Sequence, residues 1–413
     1  MPPSQSASLL TLPAMLQKAG YVTAAAGKVA PLTAPVEQGF DSFIGQVDQG
    51  LCHNMYPRFI DEGNATLNVN LTHNWAIAAD AKAARAQCMA SPSSFNYTVD
   101  ITQHASLAFV RARAADGKKF FLYESFTVPH AGGWGHAPSM PESGAPVPSD
   151  GRYASESWPE VERDHAAVIT YLDNCVGELI AELKTGGLYY KTLIFFASDN
   201  GAHLEGGHNY HFFNSTGGLL GHKRSLYEGG VSTPLIAWWP GRVPADRVSA
   251  ADVASIDWFE TAAALAGVAL PPTAAAWVRG VDASAVLLGE ATAAKRRTHP
   301  LVWDYRFSMP GKCYHQSPMM SIVHSDVPNH PHVQWKLLMS PNRTRVELYN
   351  LTADVAEFVT VDAPDVVAFL APLLEEWEAS MPVHTPPDKV RLNPGCVANG
   401  GGSLVIEVAP EGG

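Results

Sequence analysis

Apolar residues recur at helical spacing most clearly between Asp164 and Leu183. There Val168, Tyr171, Leu172, Cys175, Val176, Leu179, Ile180 and Leu183 fall three or four positions apart. The pattern predicts one long amphipathic helix, stopped by Gly186 and Gly187. The next apolar stretch, Thr192-Leu-Ile-Phe-Phe-Ala197, is unbroken, which predicts a central parallel strand covered on both faces. Pro234-Leu-Ile-Ala-Trp-Trp239 reads as another strand, and Lys119-Phe-Phe-Leu-Tyr-Glu-Ser-Phe126 as a third, running into a turn-rich segment from Pro129 to Pro148. A short helix is expected from Thr11 to Gly20, with Thr11 as cap, Pro13 in the first turn, and an apolar stripe of Leu12, Met15, Leu16 and Ala19. A further helix is expected from Asp257 to Ala266, opened by a capping box of Asp257 and Glu260. Residues 45–100, rich in Asn, His and Gly, read as irregular.

Helix, buried strand, loop, strand and helix in succession predict an α/β fold, a doubly wound and mostly parallel sheet flanked by helices. The texture changes beyond about residue 290. Strand-like pieces at Pro300–Tyr305, Val333–Met339 and Arg345–Tyr349 lead into one helix, Pro364–Glu378. We therefore expect an α/β domain over 1–290, a smaller C-terminal α+β domain over 291–381, and a Pro- and Gly-rich tail over 382–413. No internal repeat is visible.

Composition narrows the function classes. Of 413 residues, 46% are hydrophobic and 16% charged, enough apolar material for a sizeable core. The net charge of −12 and the lack of a basic block argue against nucleic acid as a partner. No apolar run approaches the roughly 18–20 residues of a membrane span. The first ten residues have no charged n-region and no long apolar h-region, so they do not read as a signal peptide. Yet Asn64, Asn70, Asn96, Asn214, Asn342 and Asn350 all open Asn-x-Ser/Thr triplets. Chance gives roughly one per 150–200 residues, so six suggest a secretory-pathway history, with Asn- and Thr-rich loops as the plain alternative. The five cysteines, Cys52, Cys88, Cys175, Cys313 and Cys396, form no C-x-x-C pair. They allow one or two disulfides plus a buried thiol, for which Cys175 is the candidate because of its place on a helix's apolar face.

Chemistry is expected beyond the carboxyl ends of strands. The strand ending at Ala197 runs into Ser198-Asp199-Asn200-Gly201, which offers one charged and one neutral oxygen to a hard cation, or is an ordinary turn. His203, His208 and His211 could be read as a zinc cluster, but no cysteine or spaced third pair supports that. The following text decides between these readings. Asp199-Asn-Gly, Glu205-Gly-Gly-His208 and Lys223…Glu228-Gly-Gly…Pro234…Trp239-Pro-Gly241 resemble, in order, the sulfatase family of the alkaline-phosphatase-like superfold. Ala19-Gly-Tyr-Val-Thr-Ala-Ala-Ala-Gly-Lys28, Gly39-Phe-Asp41, His53-Asn-Met-Tyr-Pro57, Val128-Pro-His130 and Glu347-Leu-Tyr-Asn-Leu-Thr-Ala-Asp354 are similar to further family segments. The resemblance spans roughly residues 11–380.

It implies hydrolysis of sulfate esters, with aryl or carbohydrate sulfates as substrates. A formylglycine hydrate would attack sulfur and a Ca²⁺ would polarise the sulfate oxygens. By position, Asp199 and Asn200 would bind the metal, Lys223 would contact sulfate, and Lys28 would support the nucleophile side. His130 would be the general acid at the leaving oxygen, with His208 and His222 in the pocket wall. The resemblance also implies what these 413 residues do not contain. The family opens with a strand ending in paired Asp residues and then C/S-x-P/A-x-R, the formylglycine precursor. No cysteine here is followed by x-Pro/Ala-x-Arg; Met1-Pro-Pro-Ser-Gln5 and Ser308-Met-Pro-Gly-Lys312 are only superficially similar. Lys28 is followed by Val29-Ala30 where the family has Trp and then His or Gly. The expectation is a truncated chain, inactive as written. Two other readings stay open: a non-catalytic relative that binds a sulfated ligand or partner, and a phosphoryl-transfer enzyme of the same superfold.

Overall fold

The computed structural model describes residues 10–30, 32–63, 67–135, 144–272, 274, 278–290, 297, 299–305 and 320–381, and the backbone of 391–392 and 406–407. Most of the expected Pro- and Gly-rich tail, Asn64, Cys313 and Cys396 lie outside these residues. In chain order the elements are α1 (Leu12–Lys18), β1 (Val22–Lys28), β2 (Ser42–Gln46), β3 (Phe59–Glu62), β4 (Leu67–Asn70), α2 (Ala81–Ala90), α3 (Thr98–Asp116), β5 (Phe120–Ser125) and α4 (Glu160–Thr185). Then come β6 (Ile194–Ala197), α5 (Glu228–Val231), β7 (Leu235–Trp238), α6 (Trp258–Ala266) and α7 (Ser284–Leu287). The last are β8 (Leu301–Asp304), β9 (Met320–His324), β10 (Trp335–Met339), β11 (Val346–Asn350) and α8 (Pro364–Ser380). They divide into two compact units. One comprises Met1–Phe195, Glu205–His208 and Ala237–Arg296; the other comprises Phe196–Leu204, Asn209–Ile236 and Arg297–Gly413.

The first unit holds a mixed sheet in the order β4-β3-β2-β1-β5. β1 runs parallel to β2 and to β5, while β3 and β4 add an antiparallel hairpin. β1 is buried over Thr23–Gly27 apart from its ends, as a middle strand of small residues should be. Successive residues of β5 face opposite ways: the ring of Phe120 meets Phe109 of α3, and Phe121 packs with Met15 of α1 and Ala263 of α6. Helices therefore cover both faces. The Thr11 side chain caps α1 by accepting from Ala14 N–H at 3.2 Å, as the sequence predicts. The stripe of α4 buries Val168, Cys175 and Leu183, and Gly186 caps its end.

Three expectations change. Residues 45–100 are not irregular: they form β3, β4, α2 and the start of α3, and they give Met55, Tyr56, Ala84, Cys88 and Tyr97 to the largest core cluster. β6 is not covered on both faces. Among the described residues it pairs with β7 alone, its Ile194, Phe195 and Phe196 are half-buried, and Ala197 is exposed. Asp257 does not cap α6 with its side chain. Its carboxylate instead accepts from the N–H groups of Ala254 at 2.7 Å and Val281 at 2.9 Å, because a buried loop donor at 281 competes for it. Among the described residues Cys52, Cys88 and Cys175 are buried free thiols.

In the second unit β11-β10-β9-β8 make an antiparallel sheet. β10 is buried throughout. Leu337 and Met339 pack with Leu370 and Leu374 of α8 on one face, and Leu338 packs with Leu226 and Tyr227 on the other. The segment that carries Lys223 is thus layered onto the C-terminal sheet.

Candidate active site

In the first unit the site residues gather at the carboxyl edge of the parallel strands, where α/β sheets place their chemistry. β1 ends at Lys28, beside Gln46 of β2. The residue before it, Gly27, has φ +107°, and a Cβ there would stand 2.0 Å from Ser125 O, so only glycine lets β1 and β5 close this tightly under Lys28. Lys28 Nζ lies 3.5 Å from His53 Nε2. The His53 ring stacks on His130, with centroids 4.3 Å apart and planes at 16°. His130 Nε2 meets Glu205 Oε2 at 2.9 Å, and Nδ1 meets Ala131 O at 2.6 Å. Both ring nitrogens face acceptors, which a doubly protonated imidazole satisfies. The His130 and Glu205 side chains keep 20% and 18% exposure, so a ligand can reach them. Beneath this line the Cys52 thiol is buried; burial pushes its pKa up and the charge of Lys28 pulls it back.

His208 lies deeper. It is 4% exposed, its Nδ1 is 2.6 Å from Glu162 Oε2, and its ring stacks on His165 at 3.7 Å. It belongs to the first unit.

The second unit carries Asp199, Asn200, His222 and Lys223. Asp199 is exposed and Asn200 half-buried, just past the end of β6. The Ser198 hydroxyl donates to Asn200 O at 2.9 Å, and Asn200 Nδ2 donates to Gly201 O at 3.0 Å. Gly201 N–H donates to Gly230 O at 3.0 Å, and Lys223 N–H to Ala202 O at 2.7 Å. A Cβ on Gly201 would stand 1.9 Å from Gly229 O. The Asp-Asn-Gly and Glu-Gly-Gly motifs therefore exist as one interlocked pair of loops, with no room for side chains at the crossing. His222 is buried, with Nδ1 at 2.8 Å from Lys223 O and its ring 5.0 Å from that of Tyr210. Glu228 and Glu357 both pair with the buried ammonium of Lys336, at 2.7 and 2.9 Å, and Glu228 N–H donates to Glu357 Oε2 at 2.5 Å.

The calcium ion that the resemblance implies finds an incomplete donor set here. Asp199 and Asn200 supply two oxygens, whereas Ca²⁺ takes about 6–8. The described residues hold no group of three or more His, Cys, Asp or Glu side chains able to bind a metal. Residue-by-residue reading left out His53, Glu205, Glu162 and Lys336. His53 and Glu205 stand inside quoted motifs, while Lys336 sits in an apolar strand and gives no local signal.

The family model named Sulfatase matches residues 2–268. The chain is 31% identical over 283 residues to the N-acetylgalactosamine-6-sulfatase of Canis lupus familiaris, covering 67% of this chain and 48% of that protein. It is 30% identical over 311 residues to the arylsulfatase A of Bos taurus, covering 68% and 51%. It thus spans about half the length of the curated relatives it matches. Among solved structures, the fold is like that of Ps i-CgsB, with a TM-score of 0.65 at 21% identity over 90% of this chain and 74% of that one. No helix among the described residues is long and apolar enough to cross a membrane. The chain belongs to the sulfatase family.

Proposed function

We propose that this chain carries the leaving-group and sulfate-binding residues of a sulfuric ester hydrolase acting on a carbohydrate or aryl sulfate. The observation that supports it is His130, held between Glu205 Oε2 and Ala131 O in a form that can give a proton and still open to a ligand. In this reading, within the first unit, His130 protonates the departing alcohol, Glu205 orients it and Lys28 neutralises sulfate charge, while Lys223 of the second unit keeps the sulfate-contact role that the family resemblance gives it. Asp199 and Asn200 supply part of a Ca²⁺ site. A formylglycine nucleophile would be needed, and no C/S-x-P/A-x-R sequence occurs in the 413 residues. As written, these 413 residues by themselves are therefore proposed to bind sulfate esters without turnover. The same observation favours the second reading, a non-catalytic sulfatase-fold protein that binds a sulfated ligand or partner. We place the protein in the secretory pathway on the strength of its six Asn-x-Ser/Thr triplets.

Calorimetry with 4-nitrophenyl sulfate, alongside release of 4-nitrophenol, tests this. The expected result is saturable binding, weakened about tenfold or more in Lys223→Ala and in His130→Ala, since each variant loses a charge-assisted contact. No nitrophenol should appear. Release of nitrophenol from the phosphate ester in preference to the sulfate would overturn the proposal in favour of phosphoryl transfer.

A further inference from the structure

The β3–β4 hairpin of the first unit sets an unusual group of side chains around one Asn-x-Thr triplet, Asn70-Leu-Thr72. Phe59 is directly opposite Asn70 in the ladder, so both side chains project from the same face. The Trp75 indole N–H donates to Asn70 Oδ1 at 2.8 Å. The bond fixes the carboxamide and leaves Nδ2, the atom that carries a glycan, outside it. Phe59 and Trp75 meet edge to face with centroids 5.6 Å apart, and the Arg58 guanidinium lies 4.1 Å from the Trp75 ring centre. Despite these contacts Phe59 remains 43% and Trp75 46% exposed. Asn70 and Thr72 are exposed as well. Two large aromatic rings left in water beside a sugar-accepting amide are an apolar patch in want of a cover. The apolar face of a sugar ring is the cover that the amide itself can bring.

We infer that Asn70 is an N-glycosylation site whose first N-acetylhexosamine packs against Phe59 and Trp75, so that the glycan is a structural part of the hairpin. The inference rests on the secretory-pathway reading above. The donor is a lipid-diphosphate-linked oligosaccharide. Asn70 Nδ2 forms a bond to C1 of its first sugar, the C1–O bond to the lipid diphosphate breaks, the diphosphate leaves with the electron pair, and the amide loses one proton. No oxidation or reduction is involved.

The test uses the full chain secreted from a glycosylating eukaryotic host, with glycopeptide mass spectrometry at Asn70 and at Asn342, an exposed triplet in the second unit. Thr72→Ala removes the Asn70 site without touching Asn70, Phe59 or Trp75. Asn70 is expected to be occupied, and Thr72→Ala to lower Tm by about 2 °C. In a host without N-glycosylation, wild type and Thr72→Ala should melt together. In a Trp75→Ser background, which keeps the site but not the ring, Thr72→Ala should no longer matter. Asn342 occupied with Asn70 bare overturns the inference and leaves the secretory reading standing. No triplet occupied overturns both. Asn70 occupied with no Tm difference for Thr72→Ala overturns the packing of the glycan on the rings.

Discussion

Glu124 lies on β5 opposite Ala26, with its Oε1 buried and no hydrogen-bond partner for that atom among the described residues. Burial pushes its pKa up to about 7. The carboxyl therefore binds its proton more tightly in the folded chain than in the unfolded one, where about 4.5 applies. Its contribution to stability is full below pH 4.5 and is lost as pH rises through 7. Glu124→Gln should stabilise the protein at pH 8 by on the order of 2 kcal/mol and change little at pH 4. Urea denaturation at the two pH values measures this, and an equal effect at both would contradict the assignment. At this scale the candidate site was half legible. Lys28, His130, Lys223, Asp199 and Asn200 stand in motifs that can be read from the chain. His53 reaches Lys28 and His130 only through the fold, and Lys336 is a lysine in an otherwise apolar strand whose purpose appears only with its two carboxylates.

Among the elements, β1 depends on one backbone position. Gly27→Ala would force φ +107° on an L-residue and press a Cβ against Ser125 O. It should cost about 2 kcal/mol or more, whereas Gly63→Ala, at φ +69° with nothing within 4 Å, should cost about 1. Denaturant midpoints of the two variants give the comparison, and equal losses would mean that β1 can relax away from β5. The elements that the sequence reveals are those with an apolar stripe or run between clear stops: α1, α4, α6 and α8 among the helices, and β5, β7, β8, β10 and β11 among the strands. α3 escaped reading because its buried face is Thr98, Val99, Thr102, Gln103, Ser106, Leu107 and Val110, spaced as a helix but largely polar in composition. Part of that polarity is met inside: Thr102 Oγ1 donates to Thr98 O at 3.2 Å, and Gln103 Nε2 to Cys175 O at 2.9 Å, whereas Gln103 Oε1 and Ser106 Oγ are buried without a hydrogen-bond partner among the described residues. β6 misled in the opposite direction. Its apolar run suits burial between two neighbours, and the described residues give it one.

Across the whole molecule, the Lys223 loop is fastened by charge. Lys336 is fully buried between Glu228 and Glu357. Burial raises the pKa of Glu357 even with the ammonium beside it, so the two acids would repel strongly if the lysine were removed. Lys336→Met should cost about 3–5 kcal/mol and loosen Leu220–Gly230 before it loosens β8–β11. Hydrogen exchange of peptides from the two regions reads the order, and simultaneous loss of protection in both would show that the ion group holds the sheet rather than the loop. Glu228 therefore waits for partners placed 108 and 129 residues further along the chain. On a ribosome adding about 5–20 residues per second, that wait lasts about 5–25 seconds, during which Lys223 and its interlocked neighbours already exist but lack the ion group that fastens Glu228. The loop takes its final fastening only when the last strands have been made, and a product stopped short of Glu357 would be released with that fastening missing.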